Sequence, residues 1–215
     1  MRRSALPLLT LLAIIGLSTA PPLRAAVGCT LNDPDRDVLR IFPAATNYRT
    51  DFIAIAERGG EELAFRLESF LGDSLDPVYE TLDVPYAYYT VLAGSDTIGR
   101  VHGVNQRGEY GGMQIILATD AQGAIIEAFY QRLSSPHAKL LRSDSFLTSF
   151  VGLDIGDFCR LNEAGDGPAA DIEDPTGGAT PDFRSTLRGV AKNLFLLGAF
   201  HFDATCPPDT EGSGS

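Results

Sequence analysis

The residues best suited to chemistry lie near the C-terminal end of the chain, where a threonine stands at the predicted start of a helix. Thr180 follows the segment Asp174-Pro-Thr-Gly-Gly-Ala and precedes Pro181-Asp182 and an amphipathic run. Thr is a favoured N-cap residue, and proline suits the first helical turn. Because a helix N-terminus carries unpaired N–H groups and a partial positive charge, it can hold an anion such as a phosphate without a lysine or arginine. The alternative is an ordinary cap, whose hydroxyl bonds only to its own helix while the glycines form a turn.

Three features around this threonine favour a binding site over a simple cap. Residues 162–180 are rich in Gly, Pro, Asp and Ala and show no apolar periodicity, and a loop of this length in a compact domain is commonly functional or disordered. Asp174 lies six residues before Thr180, and Gly177 and Gly178 allow backbone amides to face a ligand. The segment therefore predicts a hydroxyl beside an anion-binding helix end.

The remaining patterns predict the elements that must position this segment. Apolar alternation and turn residues predict strands over 48–56, 86–93, 97–104, 112–119 and 124–130, with the last four forming antiparallel hairpins. Helical spacing and start signals predict helices over 30–42, 59–72, 143–152 and 181–197. A glycine-containing loop over 105–112 should separate the hairpins and allow a close backbone approach, or only form a turn. The fold class expected is α+β, a single domain in which a twisted antiparallel sheet packs against helices.

The N-terminal segment has the layout of a secretory signal. Arg2-Arg3 precede an uncharged apolar run over 5–17, which is too short for a confident membrane span. Residues 1–28 are therefore expected to direct export to the periplasm. Ala26-Val-Gly-Cys29 resembles a bacterial lipobox and favours lipidation of Cys29, which would anchor the protein to the membrane. Ordinary cleavage near Ala20 or Ala26 is the alternative.

Cysteine and charge counts narrow the classes of function. If Cys29 carries a lipid, Cys159 and Cys206 remain as a pair for a disulfide, although both could also stay free. No Cys-x-x-Cys motif occurs, and the histidines show no ligand spacing, so no metal site is expected. The formal net charge of −11 makes nucleic acid an unexpected partner and would suit a cationic protein such as a basic cytochrome. No Gly-x-Ser-x-Gly motif supports hydrolase chemistry.

The segment from Asp174 to Thr180 resembles the flavinylation motif Asp-x-x-Ser/Thr-Gly-Ala-Thr. That motif belongs to the FMN-binding domain of periplasmic subunits in the sodium-pumping NADH:quinone reductase and Rnf complexes. The resemblance implies that Thr180 carries FMN through a phosphoester bond made by an extracytoplasmic flavin transferase. It also implies that Asp174 is the acid recognised by the transferase with its metal, and that Gly178 and Ala179 form the tight turn.

The resemblance covers roughly residues 85–200, with two departures. The segment that begins Tyr110-Gly111-Gly112-Met-Gln resembles the family's glycine start, strand, Asp-x-x-Gly turn and second strand. Gly177 occupies the Ser/Thr position of the motif, with Thr176 adjacent as a substitute hydroxyl, and Ser134-Ser135-Pro-His stands where the family has Glu-Thr-Pro-Gly. The candidate cofactor-binding residues are Asp174, Thr176, Gly177, Gly178, Ala179, Tyr110, Gly111, Gly112, Ser134 and Ser135.

The function expected is that of an exported electron carrier with covalent FMN, a module of a membrane redox complex rather than a stand-alone enzyme. Residues 29–84 would form the N-terminal helix-strand-helix part, 85–203 the FMN-binding-like domain and 204–215 a disordered tail. A flavin-free accessory subunit that keeps the fold is the alternative, favoured by Gly177 and by the absent Glu. A solute-binding lipoprotein is a third possibility.

Overall fold

A five-stranded antiparallel sheet forms the centre of the molecule in the computed structural model, which describes residues 28–72, 81–159, 172–178, 180–202 and 206. Neighbouring strands follow the chain order, so the sheet is a simple meander. The strands are β1 (Asn47–Ile53), β2 (Tyr86–Ala93), β3 (Asp96–Arg107), β4 (Gly112–Asp120) and β5 (Ile125–Arg132). The predicted α+β class, with an antiparallel sheet packed against helices, is confirmed.

Among the described residues, most helices are short and two are longer, one between β1 and β2 and one after β5. They are α1 (Pro34–Ile41), α2 (Ile55–Arg58), α3 (Gly60–Leu71), α4 (Ala138–Leu141), α5 (Asp144–Thr148), α6 (Ile155–Cys159) and α7 (Pro181–Leu197), the last continued by a π-helical turn over Gly198–Phe202. Among the described residues, no helix is long and apolar enough to cross a membrane.

The long helix α7 covers one face of the sheet. Its residues Leu187, Val190 and Leu194 are buried in the main core together with side chains from β2, β3, β4 and β5. Gly189 faces the Ile115 side chain of β4, and a Cβ at this position would collide with it. The absence of a side chain at Gly189 therefore lets the helix approach the sheet closely.

A smaller core lies on the opposite face, where the N-terminal segment and α1 cover the sheet. Cys29, Val38 and Phe42 pack there against Val101 and Ile116. Both faces of the central strands are therefore buried, and β2 reads as a nearly continuous apolar run because strands covered on both sides need apolar residues on both sides.

Two sequence predictions were wrong in extent. The strand predicted over 48–56 ends at Ile53, and the next residues form α2. The loop predicted over 105–112 is shorter, because β3 continues to Arg107 by pairing Asn105, Gln106 and Arg107 with β4. The turn Gly108–Gly111, hereafter the hairpin turn, then closes the β3–β4 hairpin through a hydrogen bond from the Gly108 N–H to the Gly111 carbonyl of 2.9 Å.

Cys159 and Cys206 form a disulfide, as predicted, between positions 47 apart in the sequence. Cys159 ends α6, and Cys206 lies shortly after the π-helical turn. The proposed signal segment up to residue 27 and nearly all of the predicted tail over 204–215 lie outside the described residues, as does Ala179.

Candidate functional site

Thr180 is the N-cap of α7, as its position before Pro181-Asp182 predicted. The side chain is half-buried, and its Oγ1 accepts a hydrogen bond from the Phe183 N–H at 3.3 Å. Pro181 occupies the first helical position and has no N–H to offer. Because the Thr180 oxygen only accepts in this cap, the hydroxyl proton stays available for another partner.

The segment before the helix folds around the Asp174 carboxylate. One oxygen of Asp174 accepts from the Thr176 N–H at 2.8 Å and from the Thr176 hydroxyl at 2.6 Å. The other oxygen accepts from the Gly178 N–H at 3.1 Å. Asp174 therefore organises the tight turn, which agrees with an acid at the start of this motif.

The conformation of Gly177 accounts for the first departure from the flavinylation motif. Its φ is +74°, in the left-handed region that side chains other than glycine rarely adopt. A Ser or Thr at this position would strain the turn as it is folded here. Thr176, rather than residue 177, supplies the hydroxyl next to Thr180.

The two threonine hydroxyls and the carboxylate form a short hydrogen-bonded chain. The Thr176 and Thr180 Oγ1 atoms are 3.1 Å apart. Because Thr176 gives its single hydroxyl proton to Asp174, Thr180 must be the donor in this contact. A proton leaving Thr180 can thus pass to Thr176 while the proton of Thr176 passes to Asp174, as a nucleophilic hydroxyl requires.

The hairpin turn forms the second side of the candidate site. Asp182, at the second position of α7, accepts a hydrogen bond from the Glu109 N–H at 2.8 Å. The next residue, Tyr110, is 58% exposed. A Cβ at Gly111 would come within 3.2 Å of Ser134 Cβ. The structure thus brings Tyr110, Gly111 and Ser134 to the start of the helix that Thr180 caps.

Two of the predicted site residues have evident structural tasks. Ser135 Oγ accepts from the His137 N–H at 3.1 Å and so shapes the turn into α4. Gly112 begins β4 and pairs with Arg107. Neither residue has a contact with Thr180 or Asp174 among those seen in the described residues, so their predicted roles in cofactor binding stay predictions.

Two cavities lined by described residues lie elsewhere in the molecule. One of about 700 Å³ follows the outer edge of β5 between α1 and α5, and one of about 130 Å³ lies near the C-terminal end of α7. Thr180 lines neither of them.

Sequence reasoning missed a buried polar cluster near the other end of α7. The His102 ring stacks on Tyr88 with centroids 3.9 Å apart, and its Nδ1 lies 2.6 Å from Asn193 Oδ1. His201 meets the same tyrosine edge-on at 4.8 Å. Burial lowers the pKa of His102 to about 3 and that of His201 to about 4. Asn193, a polar residue on the apolar face of α7, was the signal in the sequence that could have indicated this cluster.

The side chain of Cys29, the predicted lipidation residue, is only 1% exposed. Its Sγ lies close to Gly103 on β3, where a Cβ would be 2.8 Å from the sulfur. A lipid joined to this sulfur would have to displace the packing of the smaller core. The lipid anchor at Cys29 and its alternative, ordinary cleavage, both stay predictions.

No protein-family model matches this chain, and a search of curated proteins finds no match. The resemblance to the FMN-binding domain therefore depends on the residues and motifs quoted above.

Proposed function

We propose that this protein is an exported electron carrier with FMN attached to Thr180 through a phosphoester bond. The observation that carries the proposal is the hydroxyl of Thr180, half-buried at a helix start and hydrogen-bonded through Thr176 towards Asp174. Tyr110 and Ser134 on neighbouring loops supply the surroundings for a flavin. A helix cap needs only the oxygen of Thr180 as an acceptor, whereas this arrangement also provides an acceptor for the hydroxyl proton of Thr180.

Attachment requires an activated flavin nucleotide, because a simple phosphate monoester has no good leaving group. With a flavin dinucleotide as donor, the Thr180 oxygen forms a bond to the phosphorus of the FMN half. The bond to the second phosphate breaks, and a nucleoside monophosphate leaves while the hydroxyl proton passes through Thr176 to Asp174. The flavin supplies the redox chemistry once attached, and the protein contributes its orientation and the charges around it.

The cellular setting proposed is the periplasm, where a flavin transferase would load the protein. The disulfide between Cys159 and Cys206 supports export, because such bonds persist in oxidising compartments. The expected partner is a membrane redox complex or a cytochrome, and the acidic net charge of −11 suits a partner with a basic surface. The buried Cys29 favours attachment to a complex over a lipid anchor.

A flavin-free accessory subunit of an envelope complex is the second candidate. Two observations favour it: Gly177 replaces the Ser or Thr of the motif, and Thr180 lines neither of the two cavities described above. Under this proposal Asp174 and Thr180 only shape the turn and cap α7.

The absorption spectrum of the purified protein separates the two candidates. The protein should be produced by export together with a flavin transferase and examined before and after denaturation. The electron-carrier proposal expects the bands of oxidised flavin in the native protein and their retention by the denatured chain. A colourless protein, in a preparation where a known flavinylated substrate becomes yellow, would favour the accessory subunit.

A further inference from the structure

Asp182 is the single acidic residue of α7 and is fully removed from solvent. It occupies the second position of the helix, and its exposed fraction is 0%. Aspartate is common near helix starts, but usually with its carboxylate in water, because burying a charged group is costly unless it is well paired. A buried aspartate at this position therefore calls for a specific partner.

The partner lies 73 residues away in the sequence, on the hairpin turn. Asp182 Oδ1 accepts from the Glu109 N–H at 2.8 Å. A Cβ at Gly108 would lie 2.8 Å from the same oxygen and 2.6 Å from Met113 Cε. The turn and the carboxylate are thus packed so closely that only glycine fits between them.

This contact determines where Tyr110 lies relative to Thr180. Tyr110 directly follows Glu109 and is exposed, while Thr180 is two residues before Asp182 on the helix end. Behind the tyrosine, Gly111 packs against Ser134. A hydrogen bond to a charged acceptor is stronger than one between neutral groups, so it can restrain a four-residue turn.

The second carboxylate oxygen of Asp182 is buried at a cost in desolvation free energy. Asp182 Oδ2 is buried and has no hydrogen-bond partner within the described part of the chain. A side chain chosen only for stability would leave no such atom, since an unsatisfied buried acceptor is unfavourable. A role in arranging the site offers a reason for this residue.

We propose that Asp182 is a positioning residue, which holds the hairpin turn against the start of α7 so that Tyr110 covers a flavin attached to Thr180. The inference rests on the proposed function. It adds the group that keeps the aromatic side chain in place.

Variants of both partners test the contact. Asp182→Ala removes the acceptor, whereas Asp182→Asn keeps an oxygen for the Glu109 N–H. Glu109→Pro removes the donor from the other side, and proline is favoured at the second position of a tight turn. Thr186→Ala is the matched control, because Thr186 is a buried polar residue one turn further along α7 that bonds to Tyr130 and to the Asp182 carbonyl but not to the hairpin turn.

The first measurement is amide hydrogen exchange of Glu109 in flavin-free protein. Asp182→Ala should accelerate exchange at Glu109 by about 10- to 100-fold, the factor that corresponds to the hydrogen bond above. Asp182→Asn and Thr186→Ala should leave this amide protected. Unchanged exchange at Glu109 in Asp182→Ala would overturn the proposal.

The second measurement is the fluorescence yield per attached flavin in protein loaded by a transferase. Asp182→Ala and Glu109→Pro should lose the quenching that a covering tyrosine gives, whereas Asp182→Asn and Thr186→Ala should keep it. Faster exchange with unchanged flavin fluorescence would show a contact that does not position Tyr110 and would overturn the inference. If the wild-type protein takes up no flavin, both the proposed function and this role of Asp182 are wrong. The exchange result would still show whether the contact between Asp182 and Glu109 exists.

Discussion

The two ends of α7 are built differently. In the segment leading into the helix, the hydrogen bonds of Thr180 and Asp174 are local and the side chains are half-buried, and the contact of Asp182 with Glu109 is the long-range exception. Near its C-terminal end, Asn193 joins His102 and the β4 carbonyl of Ile115 across long stretches of sequence, in a fully buried setting. The disulfide lies beyond this end of the helix.

The difference indicates a division between chemistry and stability. A loop held by local hydrogen bonds can adjust to a modifying enzyme at low cost, because few distant contacts must break. The other end, with its buried polar cluster and cross-link, anchors the helix against the sheet. Changes at the C-terminal end should therefore alter stability more than flavin loading, and changes at the N-terminal end should do the reverse.

The largest effect on stability is expected from removal of the disulfide. Replacing both Cys159 and Cys206 by serine should lower the free energy of unfolding by about 4 kcal/mol, because the bond no longer restricts the unfolded chain. Urea denaturation with and without reductant measures this effect, and reductant should change the wild type but not the double variant. Flavin content per folded molecule should stay unchanged. A double variant that loses flavin but keeps the stability of the wild type would contradict the division of roles proposed for the two ends of α7.

The next largest effect concerns the hydroxyl of Thr176. Thr176→Val keeps the size of the side chain and its N–H bond to Asp174 but removes the proton path from Thr180. The rate of flavin transfer should fall by about 100-fold, a typical contribution of general base assistance. Thr176→Ser should restore it. The measurement is the time course of mass increase with purified transferase; a Val variant as fast as wild type would eliminate the relay and leave Thr176 a structural residue.

Taken per pH unit, the smallest effect is the pH dependence that arises from the buried histidine. Burial lowers the pKa of His102 to about 3, against 6.5 for an ordinary histidine. As the pH falls, the unfolded chain therefore binds a proton before the folded protein does. The contribution of His102 to the free energy of unfolding is complete above pH 6.5 and decreases as the pH falls towards 3. This residue should increase the unfolding equilibrium constant by up to about tenfold per pH unit within that range.

Urea denaturation at several pH values, with the His102 ring followed by NMR, tests the origin of this effect. The ring should stay neutral in the folded protein at pH 5, as the hydrogen bond to Asn193 and the stacking on Tyr88 require. A folded-state ring that gains its proton near pH 6.5 would contradict the assignment. His201, whose pKa is also lowered by burial, should act in the same direction but less strongly because it is partly exposed.

Local signals made much of the fold predictable. The bounds of β2 were obtained from its apolar run, and those of α7 from Thr180 and Pro181 at its start. The helices α4 and α6 have four and five residues and are too short to show a helical period. The polar end of β3 was taken for a loop because its pairing with β4, and not its composition, makes it a strand.

The candidate site was predictable only in part. The turn around Asp174 and the cap at Thr180 involve residues close in sequence, so motif and helix-start signals were sufficient. The contact of Asp182 with Glu109 joins elements 73 residues apart and depends on how α7 lies across the sheet. For the same reason, nothing local could place His102 and His201 on one tyrosine.

The most direct test of the central claim is the intact mass of denatured protein produced with a flavin transferase, compared between wild type and Thr180→Asn. Asparagine is as good an N-cap as threonine, so the variant keeps the helix start but has no hydroxyl to esterify. The account predicts that the wild type gains the mass of one FMN less one water, located on the peptide containing Thr180, and that the variant gains nothing. An unmodified wild type, or a variant that carries the same added mass, would contradict it.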